Sequence, residues 1–104
     1  MSALEDKKGE DILLMDLKPL ASFTDYFVVC SGTSDRMLDA LADGVIERLQ
    51  RRHKKAGRRE GRARDGWVIL DYGSVMVHLF SPDQREYFGL EQLWNEARVL
   101  VRFQ

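Results

Sequence analysis

The sequence predicts an α/β (α+β) domain, a mixed β-sheet of four to five strands with helices packed on it. Three observations lead there. Residues 67–80, Trp-Val-Ile-Leu-Asp-Tyr-Gly-Ser-Val-Met-Val-His-Leu-Phe, read as two strands folded about Asp71-Tyr72-Gly73-Ser74. Two further β-rich runs, 11–17 and 24–30, precede a long segment whose apolar residues recur at helical spacing. With 104 residues the chain makes one domain, 1–104, large enough to bury a modest core.

In chain order, residues 3–9 resemble the last turns of a short helix stopped at Gly9. Residues 11–17 form a continuous apolar run, as expected of a strand buried on both faces, and Pro19 ends it. Residues 24–30 are β-branched and aromatic, and Ser31-Gly32 breaks them. Thr33 or Ser34 can then cap a helix, with Asp35 suiting its dipole. Leu38, Leu41, Ala42, Val45 and Leu49 give that helix one buried stripe, and it should fade near Gly57. Residues 57–66 read as loop, with a poor edge strand around Arg59-Glu60. After the hairpin, Ser81 caps a helix, Pro82 takes its first turn, and Gln84 is a capping-box partner. Tyr87, Leu90 and Trp94 share one face, and Gly89 divides the segment into two short helices. The tail Val99-Leu100-Val101 suits helix and strand equally.

Side chains alternate between faces along a strand. If the hairpin closes tightly on Tyr72-Gly73, Asp71 faces Ser74, Ile69 faces Met76 and Trp67 faces His78. One hairpin face then carries Val68, Leu70, Val75, Val77 and Leu79, an ordinary core set. The other carries Trp67, Ile69, Asp71, Met76, His78 and Phe80. A large apolar face studded with polar groups belongs more often to a docking surface than to a dry interior. Tyr87 and Glu91 are further candidate contacts from the last helical segment.

The net charge of −1 hides an asymmetry. Residues 48–64, the end of the long helix and the following loop, hold nine Lys or Arg against Glu60 alone, so the rest of the body is acidic. Arg58, Arg59, Arg62 and Arg64 are candidate contacts to RNA phosphates, although such runs are usually solvated surface. The lone Cys30 excludes an internal disulfide and suits a reducing compartment. No run is long enough to cross a bilayer and no charged-then-apolar leader opens the chain, so the expected location is the cytoplasm.

Enzyme chemistry finds little support. His53, His78 and Cys30 lie at no metal-ligand spacing, so no metal is expected. Ser31, Ser34 or Cys30 can be drawn as a triad with His78 and Asp71, but there is no nucleophile elbow. The alternative with more substance is a small nucleotide-binding or nucleotidyltransferase-like enzyme. Its phosphate site would be the Ser31-Gly32-Thr33-Ser34 turn, which joins a strand to a helix N-terminus. That turn lacks a Walker lysine, and Asp71 stands without the second carboxylate that two-metal chemistry needs.

Several blocks resemble one known family. Asp25-Tyr26-Phe27-Val28-Val29-Cys30-Ser31-Gly32-Thr33-Ser34-Asp35-Arg36 closely resembles the signature of the ribosomal silencing factors, the RsfS or Iojap family. Glu60-Gly61, residues 67–73, 77–80, 85–88 and Leu93-Trp94 resemble its later blocks in the same order. The resemblance implies a non-enzymatic protein that needs no cofactor. It implies a nucleotidyltransferase-like fold without the catalytic carboxylates. The implied partner is the large ribosomal subunit, reached through large-subunit ribosomal protein fourteen on the intersubunit face. Bound there, the protein would keep the small subunit from joining and so lower translation. The free form is expected to be a homodimer. Two departures stand out: a very short leading helix, and Lys-Lys-Ala-Gly-Arg-Arg where the family has an apolar edge strand.

Overall fold

The computed structural model describes residues 2–103. Its order is α1 (Ser2–Asp6), β1 (Glu10–Asp16), β2 (Tyr26–Ser31), α2 (Asp35–His53), β3 (Arg58–Glu60), a 3₁₀ turn (Ala63–Asp65), β4 (Trp67–Asp71), β5 (Val75–Phe80), α3 (Pro82–Phe88), α4 (Leu90–Leu93) and β6 (Arg98–Phe103). The strands form one mixed sheet in the order β3-β4-β5-β2-β1-β6. Only β2 and β5 run parallel; the other neighbours are antiparallel. Six strands exceed the expected four to five. The basic stretch does make an edge strand, fully exposed, and the ambiguous tail becomes β6 against β1.

The two sheet faces carry two cores. On one, α1 and α2 cover Ile12, Val28, Cys30, Val68, Leu70, Val77 and Leu79. The helix stripe Leu38, Leu41, Ala42 and Val45 is buried there as its spacing predicts. Each large aliphatic side chain sealed this way contributes about 1.5–3 kcal/mol. Ser34 is the cap: its hydroxyl accepts from the Met37 N–H at 3.1 Å. α2 ends at Lys54, in the left-handed region (φ 52°), rather than near Gly57. The second face carries Leu13, Met15, Leu17, Phe27, Val29, Phe80 and Ala97, with Trp67, Met76, Leu90 and Trp94 packed around them. Among the described residues no helix is long and apolar enough to cross a membrane.

The hairpin register differs from the tight closure expected. Asp71 pairs with Met76, Ile69 with His78 and Trp67 with Phe80. The cause lies in the turn. Asp71 Oδ1 accepts from the Gly73 N–H at 2.8 Å, Gly73 takes φ +79°, and the Tyr72 N–H reaches the Val75 carbonyl at 2.9 Å. The reversal therefore centres on Gly73-Ser74. A slip of two residues leaves every side chain on its predicted face. The capping box after β5 is half formed. Ser81 Oγ accepts from the Gln84 N–H at 3.3 Å, but the Ser81 N–H donates to the Gly66 carbonyl.

Two positive-φ glycines predict different costs. A Cβ at Gly61 (φ +86°) would stand 2.3 Å from the Trp67 carbonyl oxygen, whereas one at Gly73 meets nothing within 4 Å. Gly73→Ala should cost about 1 kcal/mol, from backbone strain alone, and Gly61→Ala at least about 2 kcal/mol, because β4 must also move. Urea unfolding midpoints test the order; equal costs would mean that β3 is not held where the structure places it.

Candidate protein-docking face

The face away from α2 is built by alternation along β4 and β5. Trp67, Ile69, Asp71 and Met76 all project from it and are half-buried. His78 does not reach solvent: it is 3% exposed. The expectation that it contacts a partner directly is thus corrected. The physical reason is the ring set around it. Its centroid lies 4.5 Å from Phe27, 5.9 Å from Trp67 and 6.1 Å from Phe80. The Trp67 indole N–H donates to His78 Nδ1 at 3.2 Å. His78 Nε2 has no partner among the described residues, and burial lowers the imidazole pKa to about 4.

These rings belong to a row that crosses the face. Phe23 touches Phe27 and Trp94; Phe27 meets His78; Trp67 stacks on Phe80 and meets Phe88; Phe88 meets Tyr87 edge-on. Offset and edge-on pairs of this kind add to plain burial. The row is sealed in the middle and open at both ends. Phe23 is 55% exposed at one end, Tyr87 79% and Phe88 44% at the other, and Leu93 on α4 is 69% exposed. Neither Phe23 nor Leu93 is among the contacts expected from the sequence. Phe23 sits in a Ser-Phe-Thr loop, where an exposed aromatic was the available signal. Tyr87 does not share a buried face with Leu90 and Trp94, because Gly89 (φ +56°) breaks the helix between them.

Glu91, expected as a partner contact, is committed inside the fold. It receives Arg85 Nε and Nη2 in a two-pronged pair, both at 3.0 Å. Arg85 Nη1 also donates to the Asp11 carbonyl and to Ser31 Oγ, each at 2.8 Å. Arg85 is 8% exposed, and nothing in the sequence marked it as different from the other arginines. Asp71 accepts from Gly73 N and lies 3.7 Å from Arg58. The basic pole is correspondingly divided. Arg59 pairs with Asp39 at 2.6 Å and approaches Asp43, while Arg62 and Arg64 are exposed with no ion pair among the described residues.

The groups of the paper triad are not assembled. Cys30 lies in the α2-side core and His78 on the opposite face. Burial also pushes the Cys30 thiol up to about 11, the reverse of an activated nucleophile. Ser31 is held by Arg85, and Ser34 Oγ by the α2 cap. The Thr33 N–H points to Met37 Sδ at 3.3 Å, so the nucleotide turn has its groups engaged within the chain.

A family model described as ribosomal silencing factor during starvation (RsfS) matches residues 1–103. The chain belongs to the ribosomal silencing factor family. It is 36% identical to the Bacillus subtilis RsfS over 96 residues, 92% of this chain and 81% of that protein. It is 36% identical to mouse mitochondrial assembly of ribosomal large subunit protein 1, covering 91% of this chain and 43% of that longer protein. A crystal structure of a Chromobacterium violaceum protein superposes with TM-score 0.86 at 37% identity, over 90% of this chain and 78% of the other. The family is one of regulators and not of known enzymes. The block at residues 25–36, on which the resemblance chiefly rests, supplies β2, the Gly32 turn and the α2 cap, so its glycine and hydroxyls serve the fold.

The buried imidazole makes stability depend on pH. The unfolded chain gains a proton on His78 once the pH falls below about 6.5, whereas the folded chain resists until about 4. The stability His78 contributes is therefore complete above pH 6.5 and is lost progressively between 6.5 and 4. Going from pH 7 to pH 5 should cost about 2 kcal/mol through this group. Urea titrations of wild type and His78→Phe at both pH values test it; the variant should lose about that much less on acidification, and identical losses would refute the assignment.

Proposed function

We propose that this protein binds the large ribosomal subunit with the face opposite α2 and blocks joining of the small subunit by its bulk. The partner it would meet is the one the family resemblance implies, large-subunit ribosomal protein fourteen on the intersubunit face. The observation that carries this reading is the open aromatic row: Phe23, Tyr87 and Phe88 stay exposed at its ends, and Leu93 on α4 is exposed as well. Exposed apolar groups clustered this way are the usual mark of a protein interface. A standard interface takes about 800 Å² from each partner, a modest part of the 6455 Å² available here.

The roles within that face differ. Tyr87 and Leu93 are free anchors, and Ile69, Asp71 and Met76 extend the patch toward the hairpin turn. Asp71 keeps a carboxylate oxygen for a Lys or Arg of the partner, with Arg58 as its loose companion in the free protein. Trp67 and His78 act from beneath, by holding the wall flat and rigid. Inhibition then needs no catalytic group, only occupancy of a surface that another subunit must reach. The name of the mouse relative, an assembly protein of the ribosomal large subunit, agrees with that partner class.

Purified subunits should associate less in a sucrose gradient when the protein is added. Tyr87→Ala combined with Leu93→Ala should restore association and weaken co-sedimentation with large subunits at least tenfold. Both side chains are too exposed for the change to unfold the domain. Association that proceeds fully with saturating wild-type protein would overturn the reading.

The unpaired cations carry a second expectation. If Arg62 and Arg64 meet ribosomal RNA, replacing both with Gln should reduce the salt slope of binding by about two, one for each phosphate contact. Arg58 and Arg59, already facing carboxylates, should matter less. An unchanged slope would return residues 58–64 to plain solvated surface.

A further inference from the structure

On the other side of the sheet a cavity of about 430 Å³ opens between the first turn of α1, the last turns of α2 and the hairpin turn. Its size falls within the range of small-molecule sites. The floor is apolar: Val28, Val45, Leu49, Val75 and Val77, with Tyr72 as a wall. The mouth carries the cations Arg48, Arg52 and Lys55, with His53 beside them, and among the described residues no Asp or Glu lines it; Arg48 pairs with Asp6 on the outer side. Arg52, His53 and Lys55 form no ion pair among the described residues.

The arrangement is built by the backbone. Lys54 turns left-handed (φ 52°), and the N–H groups of Lys54 and Lys55 both return to the Leu49 carbonyl. That reversal brings Lys55 back over the cavity. The Tyr72 ring is fixed from behind by Gly57, where an added Cβ would lie 2.6 Å from it. An apolar slot with Arg52 and Lys55 outside any ion pair at its mouth suits a single hydrocarbon tail ending in an anionic head.

We propose that this cavity binds a free medium-chain carboxylate, with its tail among Val28, Val45, Leu49 and Val77 and its head held by Arg52 and Lys55. The site lies on the α1/α2 side, away from the docking face, and stands or falls independently of it. Each methylene removed from water should tighten binding about fourfold.

The test is calorimetric titration of the full chain with hexanoate, octanoate and decanoate, each below its micelle concentration. Amide and methyl shifts would locate the site. Saturable binding that strengthens about fourfold per methylene, with shifts at Val45, Tyr72 and Val77, is expected. Arg52→Glu with Lys55→Glu should weaken decanoate at least tenfold while leaving the melting temperature and the Tyr87-dependent subunit assay in place. Val45→Phe, which fills the floor, should abolish binding. No saturable binding, equal binding of decyltrimethylammonium, shifts confined to another surface, or binding only to anionic phospholipid vesicles would each overturn the proposal.

Discussion

Arg85 decides the geometry of the open face. Its guanidinium ties together four parts of the chain: its own helix α3, Glu91 on α4, the Asp11 carbonyl in β1 and Ser31 at the end of β2. A buried cation is tolerated only when its donors are satisfied, and here four are, two of them by a carboxylate. The clamp holds α3 and α4 to one end of the sheet. Asp11 bears a cost for serving it, since it sits at φ 48° beside an irregularity in the β1–β2 ladder. Because two short helices cover only part of the second face, the rest stays half-open. The long α2 seals the first face far more completely.

What remains uncovered is stiffened from below. Trp67 is fixed by its hydrogen bond to His78 and by rings on two further sides. Replacing such a residue disturbs the packing beneath the face, so loss of binding in a Trp67 variant would not by itself identify a partner contact. Exposed residues at the ends of the row have no such double duty. A surface of this kind costs solubility and little else, and it can be tolerated in a small domain whose charged share is 32%.

The alternation of β4 and β5 was readable because the period of a strand does not depend on where the turn falls. The turn itself falls one residue later than closure on Tyr72-Gly73 would put it, which shifts every cross-strand pair by two. The side chain of Asp71, bonding to Gly73, outweighed the more compact closure, and no hydrophobic pattern reports that. The α2 stripe and the Gly89 break were legible for the same reason: both are local. Arg85, Glu91 and the burial of His78 were not, because each depends on contacts between residues far apart in sequence. The short basic strand β3 exists for a reason the composition hides. Asp71, Asp39 and Asp43, from β4 and α2, line up opposite its arginines.

That pairing changes the meaning of the charge run. A stretch of nine cations reads as one electrostatic pole, but the fold sends six of them to three different places. Arg58 and Arg59 face carboxylates and stitch β3 to β4 and α2. Arg62 and Arg64 project into solvent from the 3₁₀ segment and its approach. Arg52 and Lys55 gather instead around an apolar opening on the far side of the sheet. On the readings proposed above, the aromatic face, the Arg62–Arg64 pair and the cavity mouth would each meet a different kind of ligand.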